Sequence, residues 1–237
     1  MYEAGLAGVY DLVYRSRGKD YAGESAHLAD EILKRRPDAS SLLDVASGTG
    51  SHLEFLKQRF ARVEGLERSE DMLKVARGKM PDVTMHQGDM RDFDVKRRFD
   101  AALCLFCSVA YLRNTEELCA TLTAIVGTLT EGGVVAIEPW KFPEDFTPGY
   151  LSAHLATDDG RAVARISHSL REGRHVTMDV HYLEGKAEEG IDHFTDVHRL
   201  TLFSRQEYED AFAQAGCTVE YQPPGPLDHG LLIGTRR

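Results

Sequence analysis

The chain has no apolar run near the roughly 18 residues that a membrane-spanning helix needs. Its charged fraction of 28% fits a water-facing globule. It has no excess of positive charge. A net charge of -10 suits neither non-specific nucleic-acid binding nor an acidic membrane surface. Internal repeats and low-complexity linkers are missing. The opening "MYEAGLAGVYDLVYRSRGKDY" lacks the basic start, long apolar stretch and small-residue cleavage site of a signal peptide, so a cytoplasmic location is expected. Cysteine is scarce: Cys104, Cys107, Cys119 and Cys217 are four in 237 residues. They read as free thiols in a reducing compartment. Cys104 and Cys107 do form C-x2-C, but in a strand-like run where a separation of three sends them to opposite faces, so no zinc site is expected.

What is present is a core of hydrophobic residues, 42% of the chain, enough for one domain with an insertion. Residues 22–36 carry apolar positions at helical spacing, and Pro37 stops them. Strands are expected at 41–46, 62–67, 83–90, 99–112 and 132–140, and helices at 51–60, 69–80 and 115–129 between them. Ser69 caps its helix, with acids in the first turn. This alternation over 22–140 predicts a parallel, doubly wound α/β sheet with ligands at the strand C-terminal ends. Beyond Trp140 the pattern changes. Residues 161–170, 175–184 and 191–203 alternate apolar and polar between Gly-rich turns, which predicts antiparallel strands with one wet face. A capped helix at 204–216 and two closing strands follow.

"LLDVASGTGSHL" (42–53) joins a strand to a helix through two glycines, Gly48 and Gly50, without the third glycine of the dinucleotide fingerprint. Glycine lets a ligand approach the backbone, and helix N–H groups face it. Glu67 ends the second strand, seventeen residues beyond Gly50, where a carboxylate can accept from a ribose diol. Asp89 and Met90 end the third strand, placed for an adenine amino group and ring. Phe106 follows the fourth and can close the adenine pocket. Together these describe an adenosine site. The missing glycine and the Asp89–Met90 pair argue against an NAD-dependent oxidoreductase.

Asp44, Gly48, Gly50, Glu67 and Asp89 resemble the motifs of class I S-adenosylmethionine-dependent methyltransferases. More narrowly, "LLDVASGTG", "HQGDMRDF", "EPWKFPEDFTPGY", "RISHSLREG" and "HRLTLF" resemble the dTDP-aminosugar N,N-dimethyltransferases of antibiotic deoxysugar biosynthesis. The resemblance implies a Rossmann-like α/β fold with a mostly parallel seven-stranded sheet and an antiparallel β insertion. It implies one methyltransferase domain: an N-terminal lid (1–21), a cofactor core (22–140), a substrate-binding insertion (141–203) and a closing segment (204–237). S-adenosyl-L-methionine is then the cofactor, a dTDP-amino-deoxysugar the substrate, and a homodimer the assembly. A methyltransferase for another small amine or hydroxyl is the alternative.

By that resemblance Tyr2 and Tyr111 flank the reacting amine. Tyr10, Tyr14, Arg17, Tyr21 and Ala46 join the cofactor set. Trp140, Arg165, Ser167, His168, Arg199 and His229 form the substrate set, with Tyr2. Arg165 suits a phosphate because guanidinium grips oxyanions in pairs, and strand alternation separates Arg165 and Ser167 from His168. Lys141 stands where relatives commonly carry a second tryptophan, His229 where they carry arginine, and Ser47 where they carry cysteine. His181, His193 and His198 scatter over strand faces and read as surface or hydrogen-bonding residues, with no metal expected.

Overall fold

The structure, a computed structural model, describes residues 4–237. Its elements are α1 (Ala4–Ser16), α2 (Tyr21–Arg35), β1 (Ser41–Val45), α3 (Leu53–Leu56), β2 (Arg62–Glu67), α4 (Glu70–Lys79), β3 (Thr84–Gln87), β4 (Phe99–Cys104), a 3-10 turn (Ser108–Tyr111), α5 (Thr115–Gly127) and β5 (Leu129–Ile137). Then come β6 (Tyr150–Asp158), β7 (Arg161–Glu172), β8 (His175–Lys186), β9 (Gly190–Thr201), α6 (Arg205–Gln214), β10 (Cys217–Gln222) and β11 (Leu231–Arg236). The first sheet has seven strands in the order β10-β11-β5-β4-β1-β2-β3. Strands β1 to β5 run parallel, and β11 is antiparallel to both its neighbours. The strand order reverses between β1 and β4, so the crevice outside their carboxyl ends is where such a sheet binds ligands.

Both faces of this sheet are buried, which is why its strands read as continuous apolar runs. Leu43, Val45, Ala102 and Val135 pack under α5 and α6, while Leu42, Ala101, Leu103 and Val134 pack under α2, α3 and α4. The caps are as expected: Ser69 accepts from Met72 N–H, and Ser204 forms a capping box with Glu207. Helix α3 is only one turn, shorter than its sequence pattern implied, because residues 57–59 close with tighter turn bonds, Gln58 N–H to Phe55 O and Arg59 N–H to Leu56 O.

The second sheet, β6-β7-β8-β9, is antiparallel throughout. One face carries Val163, Arg165, Ser167, Val180, Tyr182, Asp196 and His198, all buried. The other is not simply wet: it exposes Leu151, Leu155, Ile166, Leu170, Leu183 and Val197. Helix α1 fills the space between the sheets. Leu6, Val9 and Val13 form one cluster with Met72 of α4 and with Ala156, Val163 and Tyr182 of the second sheet.

Asp11 fixes α1 to the glycine turn. Its carboxylate accepts from Thr49 Oγ1 (2.6 Å), Ser51 Oγ (3.1 Å) and Lys79 Nζ (2.9 Å). Burial alone would raise this pKa, but those bonds outweigh it and hold the group below the usual carboxylate range. Asp11→Ala should therefore release α1, by about 1–3 kcal/mol for charged hydrogen bonds lost. Faster amide exchange across residues 4–16, with α5 and β4 unchanged, is the expected result.

Candidate active site

The glycine turn forms the floor. Gly48 and Gly50 have φ of 57° and 75°, and a Cβ on Gly48 would meet nothing within 4 Å among the described residues. That open side is what a ligand lying on the backbone requires. Glu67 is buried and already organised: Oε2 accepts from Gly48 N–H at 3.0 Å and Oε1 from Ser69 N–H at 2.7 Å. It thus ties the turn to the start of α4. Asp89 follows β3, held by Arg91 Nε (2.9 Å) and Nη2 (2.6 Å) and by Arg68 Nη1 (3.3 Å). The Arg91 guanidinium keeps Asp89 well below the usual carboxylate range, so it is a permanent acceptor. Met90 packs partly against the α5-side core, as does Ala46, whose φ is 60°.

Phe106 follows β4, which β1 separates from β2 and β3 in the strand order. Its ring meets Tyr14 (4.7 Å between centroids, edge-on) and Tyr10 (6.1 Å), and Lys19 Nζ stands 4.6 Å over it. These aromatics join α1 to the sheet edge at the switch point. Arg17 is exposed at the end of α1, 5.7 Å from the Tyr14 ring. Tyr21 is buried edge-on to His52, with a hydroxyl that has no hydrogen-bond partner among the described residues. Tyr2 lies outside the described residues.

Sequence reasoning missed the buried charges beneath this edge. Lys19 pairs with Glu24 at 2.8 Å, and Glu24 also meets His52 Nε2 at 2.8 Å. Burial pushes His52 below the usual imidazole range despite Glu24. Glu138, just past β5, is wholly buried; Oε2 accepts from Phe106 N–H at 2.7 Å, and Oε1 has no partner among the described residues. Burial lifts its pKa to about 7. Asp44 in β1 likewise keeps Oδ1 unpartnered among them, and burial, with Glu67 nearby, pushes it up to about 8. The signal for Glu138 was in "GGVVAIEPW": an acid closing an apolar strand at the sheet's carboxyl edge.

Above the edge, the buried face of the second sheet brings Arg165 and Ser167 together, Nη1 to Oγ at 3.0 Å, with Arg165 Nε unpartnered among the described residues. Tyr111, on the turn after β4, bonds His198 Nδ1 at 2.7 Å. Trp140 packs edge-on to Phe146 (5.6 Å) between the two sheets. His229 is half-buried, and burial and Lys141 lower its pKa. His168 and Arg199 do not join this set. In register His168 pairs with Leu151, and Arg199 with Thr177, on the outward face. Among the described residues no group of three or more His, Cys, Asp or Glu is placed to hold a metal.

A glycine cradle, a ribose-type carboxylate and buried acids that each keep one oxygen unpartnered among the described residues fit a nucleoside carrying positive charge. S-adenosylmethionine has a sulfonium and an ammonium. The fold and this edge thus define an S-adenosylmethionine-dependent methyltransferase, and residues 42–133 match the family described as a methyltransferase domain. The chain is 53% identical, over 99% of both sequences, to the dTDP-3-amino-3,4,6-trideoxy-alpha-D-glucopyranose N,N-dimethyltransferase of Streptomyces venezuelae. The crystal structure of Streptomyces venezuelae DesVI superposes with a TM-score of 0.95, at 52% identity and full coverage of both chains. CalS10 from Micromonospora echinaspora, an amino pentose methyltransferase solved with S-adenosylmethionine bound, superposes at 0.89 with 46% identity over 97% of each chain. The chain belongs to the aminosugar N,N-dimethyltransferase family.

Two outcomes follow for the cofactor edge. Glu67→Ala should weaken S-adenosylmethionine binding by about 1–3 kcal/mol in calorimetry, the scale of charge-assisted bonds. Binding should also release protons. Glu138 and Asp44 stay protonated up to about pH 7 and 8 in the free protein, and a cationic ligand favours their ionised forms. Affinity should therefore climb as pH rises toward 7 to 8, and Glu138→Gln should flatten that climb. Titrations in buffers of different ionisation heat count the protons.

Proposed function

We propose that the chain transfers two methyl groups from S-adenosylmethionine to the amine of a dTDP-linked 3-amino-deoxyhexose, in the making of a glycosylated antibiotic. The observation that carries the reading is the buried Arg165–Ser167 pair, a cationic group on the inner face of the second sheet in a protein of net charge -10. The relative from Streptomyces venezuelae, named for a 3-amino sugar nucleotide, supports the substrate class and the position of its amine.

The cofactor supplies an electrophilic methyl, so the protein need add little covalent chemistry. It holds nitrogen, methyl and sulfur in line and keeps water out. Glu67 and Asp89 hold the nucleoside. Tyr10, Tyr14 and Phe106 wall the reacting end together with α1. Arg165 and Ser167 receive the diphosphate, and Trp140 and His229 border the sugar nucleotide. In this reading residues 1–21 cover the site, 22–140 hold the cofactor, 141–203 choose the substrate and 204–237 complete the sheet.

The outward face of the second sheet supports a homodimer. Leu151 and Leu155 are 67% and 64% exposed, and Ile166, Leu170, Leu183 and Val197 continue the patch. Such contiguous apolar surface marks an interaction site. His168 and Arg199 would then serve this contact and not the sugar. Four free thiols are consistent with work in the cytoplasm, and the acidic charge with no nucleic-acid or membrane partner.

Mass spectrometry of products from dTDP-3-amino and dTDP-4-amino sugars tests the activity; two added methyls on the 3-amine are expected, and no transfer to either would overturn the reading. Arg165→Ala should weaken dTDP binding by roughly 1.5–3 kcal/mol and leave cofactor affinity unchanged. Ile166→Glu should halve the mass seen by sedimentation.

A further inference from the structure

Resting on that reading, one carboxylate on the buried face of the second sheet is left over once the cofactor and the diphosphate are placed. Asp196 of β9 is 7% exposed, and its Oδ2 has no hydrogen-bond partner among the described residues. Val180, fully buried, stands beside it on β8, and Ser167 lies beyond Val180 on β7. His198 Nε2 is 3.6 Å from Oδ2, longer than a hydrogen bond, and no lysine or arginine among the described residues pairs with the carboxylate. Burial raises its pKa, so the ionised form is penalised where it stands. A buried acceptor left open in this way is costly unless a ligand fills it.

Its place in the fold limits what can fill it. Strand β9 crosses the turn after β4, where Tyr111 meets His198 Nδ1 at 2.7 Å. That turn, Ser108–Tyr111, follows directly on Phe106 and Cys107, and Phe106 meets Tyr10 and Tyr14. In the proposed reading Asp196 therefore borders the reacting end, on the face that also carries Arg165 and Ser167. A diphosphate cannot be its partner, since two anions repel in a dry site. The thymine lies across the diphosphate from the sugar, away from this end. The reacting ammonium is excluded as well: a buried carboxylate beside it would hold it charged and keep its lone pair from the methyl group. What remains near the amine of an amino-deoxyhexose is a neutral donor, a ring hydroxyl.

We propose that Asp196 Oδ2 accepts the hydroxyl on a sugar carbon next to the one bearing the amine, and that this bond selects the substrate. The bond is charge-assisted, so the hydroxyl offsets the burial that penalises the carboxylate. A sugar with hydrogen in place of that hydroxyl leaves a desolvated acid unpaired. It is rejected for that reason and not by size, since it is the smaller molecule. The bond also fixes how the sugar is turned about its link to the diphosphate, and hence the aim of nitrogen at the methyl group. Asp196 is in this sense a specificity-determining residue: it touches the substrate but takes no proton from it.

The test compares kcat/KM for a dTDP-3-amino-dideoxyhexose with hydroxyls on both carbons beside the amine against counterparts lacking one or the other. Wild type should lose about 10–100-fold on at least one of the two deoxy sugars, the scale of a charged hydrogen bond lost with its acceptor left buried. Asp196→Ala should bring the full substrate down to the level of that deoxy sugar and remove the preference between them, with S-adenosylmethionine affinity unchanged. A merely structural role would lower all the sugars together and leave the preference standing. Asp196→Asn keeps the shape and an acceptor without charge; it should narrow the preference, and it decides the matter if Asp196→Ala does not fold. A wild type that treats both deoxy sugars like the parent, or a preference that survives in the variants, overturns the proposal. A wild type inactive on every dTDP-aminosugar overturns the substrate reading as well, whereas an active wild type without the preference overturns the hydroxyl bond alone.

Discussion

Asp11 is the point at which the two sheets become one enzyme. The parallel sheet ends at an open crevice, and the antiparallel sheet shares none of its hydrogen bonds. Helix α1 lies between them, its apolar side against both α4 and the second sheet. Hydrophobic contact gives it adhesion but no register, because burial is non-directional. The three bonds onto Asp11, from Thr49, Ser51 and Lys79, set that register against the glycine turn. The contact of Tyr10 and Tyr14 with Phe106 follows from where that one carboxylate sits.

The edge below is built against stability. Ala46, Phe106 and Cys107 hold φ near 60° without being glycine, at the ends of β1 and β4. Asp44 and Glu138 are buried with an oxygen unpartnered each among the described residues. Lys19 and Glu24 form a buried ion pair beside them, and His52 bonds to Glu24. In an ordinary core a buried ion pair replaced whole by packed apolar residues often costs nothing or gains stability, so such groups are not kept for stability. Their concentration at the switch point makes sense as a surface already shaped for a cationic cofactor, with acids placed to ionise as it binds. It spares the protein reorganisation when the ligand arrives.

Most of the parallel half was legible in the sequence, since two-sided burial writes strands as apolar runs and caps mark the helices. The two carboxylates at the sheet's edge were legible for the same reason: Glu67 and Asp89 stand where such runs stop. Three things were not. Strand β6 was hidden because its apolar residues, Leu151 and Leu155, point outward while Ser152 and His154 point in, the inverse of the usual alternation. Helix α1 was read only as a covering segment, because its partner surfaces lie far along the chain. His198 was indistinguishable from His181 and His193 without the register. Pairing shows the other two stacked on the outward face, 5.3 Å apart, while His198 faces Tyr111.

That register is the deepest constraint on the second sheet, because its two faces have separate duties. Alternate residues of β7 and β9 carry Arg165, Ser167, Asp196 and His198 inward, and the residues between them carry Ile166, His168, Val197 and Arg199 outward. A slip of one residue in β9 would put Val197 against Tyr111 and turn His198 and Asp196 to the outside. Such a slip is opposed at both ends of the strand. Leu200 and Leu202 are anchored with Val176 and Phe146 beneath Ala110, and Phe194 stacks on Tyr182 at 4.9 Å. The apolar residues near the polar trio thus hold it in place, and the alternation that gives one face its chemistry gives the other its adhesive surface.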